Sequence, residues 1–278
     1  MTTSLSSRLQ NAWTSADSML CVGLDPIPAA FPTPLQPDAS SIYDFCCAIV
    51  DATAASAAAF KPQFAHFAAE GREDDLARII KHIRTTHPDK LIILDAKRGD
   101  IGSTADFYVR EAFERYDADM VTINPYMGPE SVRPFLNDPT RGAVVLCRTS
   151  NADSDWLQQF PADDPVFLRV ADAAVAWNHN NNIMLVAGAT YPAELGDIRR
   201  RVGDMPLLVP GVGAQGGDLQ QVLEAGLNSA SQGLLINASR SILYASSGED
   251  FEQAAALAAE VLTHQIRRYR SKLLHNGQ

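Results

Sequence analysis

Eight short apolar runs recur along the chain, each followed by polar sequence with a helical pattern, and this repetition constrains the fold more than any other feature. The runs are Met19–Leu24, Ala57–Lys61, Leu91–Asp95, Met120–Asn124, Ala143–Cys147, Ile183–Ala187, Leu207–Pro210 and Leu234–Asn237. Apolar residues are continuous within them rather than alternating, the pattern of parallel strands covered on both faces. Helix candidates lie between them, among them Ser40–Ala55, Asp74–Thr85, Thr104–Tyr116, Ala171–Asn178 and Leu219–Ala225. A helical segment at about 3–17 precedes the first run, and a long helix at about 251–274 follows the last. The long helix carries Arg267, Arg268, Arg270 and Lys272 toward its C-terminal end, where cations suit the helix dipole. No composition shift marks a linker. The chain is therefore expected to form one α/β domain over residues 1–278, a single (β/α)8 TIM barrel, which typically needs about 250 residues.

Composition narrows the partners. Asp and Glu outnumber Lys and Arg 33 to 23, a formal net charge of −10. That balance argues against a general nucleic-acid or anionic-membrane binder, both of which carry a basic footprint. Neither a secretory leader nor a membrane span is recognisable. Cys21, Cys46, Cys47 and Cys147 form no CxxC pair or zinc-ligand pattern, so reduced thiols and a cytoplasmic location are expected.

In such a barrel the site lies at the C-terminal ends of the strands. Polar residues gather there: Asp25 after the first run, Lys61 closing the second, Asp95 and Lys97 at the third, and Asn124 at the fourth. Thr149 and Ser150 follow the fifth, Gly211, Gly213 and Gln215 the seventh, and Ser239 and Arg240 the eighth. Within Asp95-Ala-Lys-Arg-Gly-Asp100, Asp95 and Lys97 stand two apart in an extended segment and should share one face at the mouth, where burial is substantial. Gly99 is read as a sharp turn that carries Asp100 elsewhere. A lone DxK is best taken as an ion pair capping the barrel. With Lys61 and Asp25 on neighbouring strands, a functional set of two ammoniums and two carboxylates becomes the better reading, because desolvating such charges often costs more than their attraction returns.

Pro210–Gly217 contains GxGxxG through Gly211, Gly213 and Gly216. That spacing alone could suit a dinucleotide, with Arg240 pointing to NADP, but a single run follows it, too little for the rest of a dinucleotide sheet. In a barrel the loops after strands seven and eight are a common phosphate site, with exposed amides, Gln215 and Arg240 as the grip. The histidines show no ligand spacing, His66 is read as a packing or surface residue, and no nucleophilic triad is present.

Leu-Asp-Ala-Lys-Arg-Gly-Asp-Ile-Gly-Ser-Thr at 94–104 resembles the signature of the orotidine 5′-phosphate decarboxylase family. So do Gly-Leu-Asp-Pro at 23–26, Phe-Lys-Pro at 60–62, Asn-Pro-Tyr-Met-Gly at 124–128 and Arg-Thr-Ser-Asn at 148–151. Pro-Gly-Val-Gly-Ala-Gln-Gly-Gly at 210–217 and Ala-Ser-Arg at 238–240 complete the series in the family's order, and the chain looks like its longer bacterial type. Ala152-Asp153 stand where the family pattern has Pro-Gly. The resemblance implies conversion of orotidine 5′-monophosphate to UMP and CO2 without metal or organic cofactor, in de novo pyrimidine biosynthesis. It implies a catalytic network of Lys61, Asp95, Lys97 and Asp100, with Lys97 protonating C6. It also implies a homodimer in which Asp100 and Thr104 cross into the partner's site. Asp25, Lys61 and Thr104 would hold the ribose, Ser150 would read the pyrimidine, and Gly211, Gly213, Gln215, Ser239 and Arg240 would lie at the phosphate. Alternatives are a metal-dependent hexulose-phosphate synthase-like aldolase, a non-catalytic phosphate-binding barrel and an NADP oxidoreductase.

Overall fold

In the computed structural model, which describes residues 3–33, 35–213 and 216–276, the eight apolar runs pair side by side. They form β1 (Leu20–Leu24), β2 (Ala57–Pro62), β3 (Leu91–Arg98), β4 (Met120–Ile123), β5 (Gly142–Arg148), β6 (Ile183–Ala187), β7 (Leu207–Pro210) and β8 (Leu234–Ala238). All pairs are parallel, and β8 returns to β1 with Leu20 opposite Ile236, so the barrel closes. Strand residues are buried on both faces until the C-terminal ends, which explains their continuous apolar character.

Helices surround the barrel in chain order: α1 (Leu5–Ala16), α2 (Ile42–Thr53), α3 (Phe64–Ala68), α4 (Glu73–Thr86), α5 (Gly102–Arg110) and α6 (Asp155–Gln158). They continue with α7 (Val166–Trp177), α8 (Pro192–Val202), α9 (Leu219–Gly226), α10 (Arg240–Leu243) and α11 (Phe251–Asn276). In α1, Leu5, Leu9, Ala12, Trp13 and Ala16 recur on one face and are buried at the N-terminal end of the barrel. The opposite end is therefore the open one. The expected helix Thr104–Tyr116 is divided: α5 ends at Arg110 and a π-turn over Glu111–Arg115 follows. α8 takes the place of the helix that eight strand–helix units require after the sixth run, and the short α3 is too brief to show a period.

Among the described residues no helix is long and apolar enough to cross a membrane. All four cysteines are free, and Cys47 is only partly buried.

Candidate active site

Three strand ends build a buried charge cluster. Lys61, the penultimate residue of β2, is 5% exposed, and Asp95 of β3 is 7% exposed. The Lys61 Nζ donates to Asp95 Oδ2 at 2.7 Å, and the Lys97 Nζ donates to Asp95 Oδ1 at 2.7 Å. Thr122 of β4 donates from Oγ1 to Asp95 Oδ1 at 2.9 Å and accepts the Lys97 N–H at 2.9 Å. Gln63 donates from Nε2 to Asp95 Oδ2 at 3.1 Å. The sequence reading missed both of these supports. A threonine inside the apolar run Met120–Asn124, and a glutamine two past Lys61 on the same face, were the available signals.

The chain near Lys97 is not extended as expected. Lys97 adopts φ +47°, in the left-handed region, where β3 slips its register against β4 between Leu94 and Arg98. That conformation costs roughly 1–2 kcal/mol for a residue with a Cβ. The long lysine stem still brings the ammonium back to Asp95, while its side chain remains 49% exposed rather than deeply buried. Gly99 also differs: it is needed for a close approach, since a Cβ there would stand 3.0 Å from the Asn124 carbonyl oxygen.

Burial alone would raise the Asp95 pKa. The charges of Lys61 and Lys97 outweigh it and hold the carboxyl well below the usual carboxylate range. Burial likewise opposes the Lys61 ammonium, but Asp95 and Asp25 outweigh it and raise the lysine above its ordinary value. Cys21 lies buried near Lys61, and desolvation pushes its thiol up to about 12, which leaves it unreactive.

Asp100 does not join this cluster within one chain. It is half-buried, its Oδ1 accepts the Ile101 N–H at 2.8 Å, and among the described residues no bond links it to Lys61, Asp95 or Lys97. Thr104 is exposed in the first turn of α5. Asp25 is half-buried beside Lys61's cavity, and its Oδ1 has no hydrogen-bond partner.

Two adjoining cavities share Lys61, Asp95 and Pro210 as a common wall. One, of about 400 Å³, is lined by Asp25, Gly211, Asn237, Ser239 and Arg240. The other, of about 410 Å³, is lined by Lys97, Thr122, Thr149 and Ser150. The charge cluster thus stands between a glycine-edged chamber that carries both signs of charge, Lys61 and Arg240 with Asp25 and Asp95, and a chamber whose lining beyond the cluster itself is uncharged. His66 lines the edge of the first and two shallower outer cavities, and its Nδ1 donates to the Pro26 carbonyl at 2.9 Å, a packing contact.

Gly211 has φ +98° and Gly213 φ +70°, values that only glycine adopts readily. The Gly213 N–H donates to the Gly217 carbonyl at 3.0 Å and the Gly217 N–H to Gly211 at 3.1 Å, so these amides are engaged within the loop rather than free. Gln215 lies outside the described residues. Arg240 opens α10, is exposed, and makes no ion pair among the described residues. The Asn237 Nδ2 donates to Ser239 Oγ at 3.4 Å, and a Cβ on Gly23 would stand 2.0 Å from that oxygen, so β1 carries glycine there. Among the described residues no group of three or more His, Cys, Asp or Glu is arranged to hold a metal ion.

A family model described as "Orotidine 5′-phosphate decarboxylase / HUMPS family" matches residues 18–256. An orotidine 5′-phosphate decarboxylase of Bordetella pertussis is 53% identical over 268 residues, 95% of this chain and 98% of its own. One from an Azoarcus species is 53% identical over 264 residues, 94% of this chain and 98% of its own. The solved Leishmania donovani OMP decarboxylase superimposes with a TM-score of 0.84 at 35% identity, covering 96% of this chain and 99% of that one.

Proposed function

The chain belongs to the orotidine 5′-phosphate decarboxylase / HUMPS family, and from that premise we infer that it converts orotidine 5′-monophosphate to UMP and CO2. The observation that carries the reading is the Lys61–Asp95–Lys97 cluster on the wall between two chambers. Such a partition suits a nucleoside monophosphate whose phosphate and ribose occupy the chamber edged by Arg240 and Gly211 and whose pyrimidine occupies the other. Ser150 then faces the base, Asp25 and Lys61 the ribose hydroxyls, and Gly211, Gln215, Ser239 and Arg240 the phosphate, with Gly213 shaping the loop between them.

Loss of CO2 leaves an electron pair on C6 that the ring stabilises poorly. The Lys97 ammonium stabilises that charge as it forms and then supplies the proton, so the C6–carboxylate bond breaks to release CO2 and a C6–H bond takes its place. Two unit charges about 4 Å apart interact by roughly 4 kcal/mol at an effective dielectric of 20, about three powers of ten in rate if the contact strengthens in the transition state. Asp95 keeps both ammoniums in position, and its own charge crowds the substrate carboxylate until CO2 departs. The phosphate, remote from the bond that breaks, supplies binding energy for organising the site.

The reading extends to a single-domain, cytoplasmic homodimer of pyrimidine biosynthesis. Asp100 is detached from the cluster of its own chain, which supports its crossing with Thr104 into the partner's site. Mixing Lys97→Ala with Asp100→Ala chains should then restore activity, because each hybrid regains one intact site. A mixture that stays inactive after confirmed subunit exchange would refute sharing. The activity itself is tested by following orotidine 5′-monophosphate in the ultraviolet with EDTA present. Steady conversion to UMP is expected, and conversion that stops on chelation would favour a metal-dependent aldolase-type site instead.

A further inference from the structure

Arg148, the last residue of β5, is among the largest fully buried side chains, and its surroundings are unlike those of an ordinary core residue. Its guanidinium donates to the Glu194 carboxylate of α8, to the Asp155 carboxylate of α6, to Ser154 Oγ and to Gln158 Oε1. The same group lies 3.7 Å from the centre of the Tyr191 ring. A planar fork of five N–H donors is the one side chain that can serve so many acceptors in several directions.

What those acceptors hold is the segment after β5. Gln158 accepts the Thr149 N–H at 2.9 Å and donates to Thr149 Oγ1 at 2.8 Å, and the Ser154 hydroxyl donates to the Asn151 carbonyl at 2.7 Å. From the other side, Gly188 donates to the Arg148 carbonyl at 2.8 Å, and a Cβ at Gly188 would stand 2.9 Å from Ser150 N and Cα. Ser150 has no hydrogen bond to the guanidinium, yet its neighbours Thr149 and Asn151 are tied to Arg148 through Gln158 and Ser154.

We infer that Arg148 is the positioning residue of the pyrimidine chamber: with Glu194 and Asp155 it fixes the 149–158 segment so that Ser150 and Gln158 stand as a preformed wall beside Lys97. The inference rests on the reading that this chamber takes the base. A loosened wall weakens every ligand that carries a pyrimidine and spares ligands that lack one.

The experiment compares UMP with ribose 5-phosphate, by equilibrium binding, across wild type, Arg148→Lys and Asp155→Asn. Asp155 is 58% exposed, so its replacement removes one strut without opening the core. Loss of a hydrogen bond to a charged group predicts UMP binding weaker by about tenfold or more in Arg148→Lys and by about threefold in Asp155→Asn. Ribose 5-phosphate binding should stay within about twofold in both, and KM for orotidine 5′-monophosphate should rise more than kcat falls. Equal weakening of both ligands, or unchanged UMP binding in a variant with a lowered melting temperature, would overturn the inference and leave Arg148 a purely structural residue. If Arg148→Lys does not fold, the Asp155→Asn ratio of the two affinities decides alone. A wild-type chain that binds neither ligand would instead overturn the decarboxylase reading, and this inference with it.

Discussion

Asp95 and Asp119 are both buried carboxylates met by cations, at opposite ends of the same barrel. Asp119, wholly buried at the N-terminal end, takes Arg8 and Arg84 on Oδ1 and the Ile92 N–H on Oδ2 at 2.7 Å. The arginines around it are spent on the protein as well: Arg84 also donates to the Asp117 carbonyl and Arg141 to the Ala118 carbonyl. Asp95 takes Lys61, Lys97, Thr122 and Gln63. Each lysine carries three N–H donors, and the Asp95 contacts use one on each side of a cavity wall. A buried ion pair is therefore no mark of a site by itself. Cations with donors to spare beside open space are. The cavity at the N-terminal end makes the same point, for at about 560 Å³ it exceeds either chamber, yet its lining includes no lysine or arginine to hold a phosphate.

Paired substitutions should separate the two ends. Asp95→Asn frees both ammoniums and should lower turnover by about 10³-fold or more, with some loss of stability because Lys61 is left buried and less well paired. Asp119→Asn should do the reverse, costing about 3–5 kcal/mol in denaturant unfolding while kcat at low temperature changes by less than about threefold. Equal kinetic losses in the two variants would erase the distinction between the ends.

A smaller effect concerns pH. The Asp95 pKa is depressed in the folded chain, so its stabilisation is complete above the unfolded value of about 3.9 and is lost as pH falls through the folded one. The Lys61 pKa is raised, so its stabilisation is complete below about 10.4 and is lost as pH rises through the folded value. The stability difference between wild type and Asp95→Asn should accordingly be flat from about pH 5 to pH 9. A step near neutrality in urea-unfolding curves would mean that another group governs the cluster.

Much of this architecture was legible in the chain. Parallel strands buried on both faces must be continuously apolar, so their positions showed directly, and the polar residues closing them marked the open end. Lys61, Asp95 and Lys97 could be grouped because neighbouring strands end at the same rim. Thr122 and Gln63 could not, since a hydrogen bond between strands depends on register and side-chain orientation that no local pattern carries. The left-handed turn at Lys97 was hidden for a related reason: lysine has no preference for that conformation, and only the slipped β3–β4 pairing accounts for it. The division of α5 by a π-turn leaves the amphipathic pattern of Thr104–Tyr116 almost unchanged, so periodicity alone cannot detect it. In the sequence Arg148 stands out only as the first residue of Arg-Thr-Ser-Asn at 148–151, and its role emerges only when α6 and α8 are seen to converge on it.

The most direct test is turnover of orotidine 5′-monophosphate by Lys97→Ala, measured beside UMP binding and the melting temperature of the same preparation. Turnover should fall by at least about 10³-fold while the protein stays folded and binds UMP, because the charge that meets C6 is gone and the two chambers remain. Turnover within tenfold of wild type would contradict the account, since the ammonium at the chamber wall would then not be the group that stabilises and protonates the carbanion.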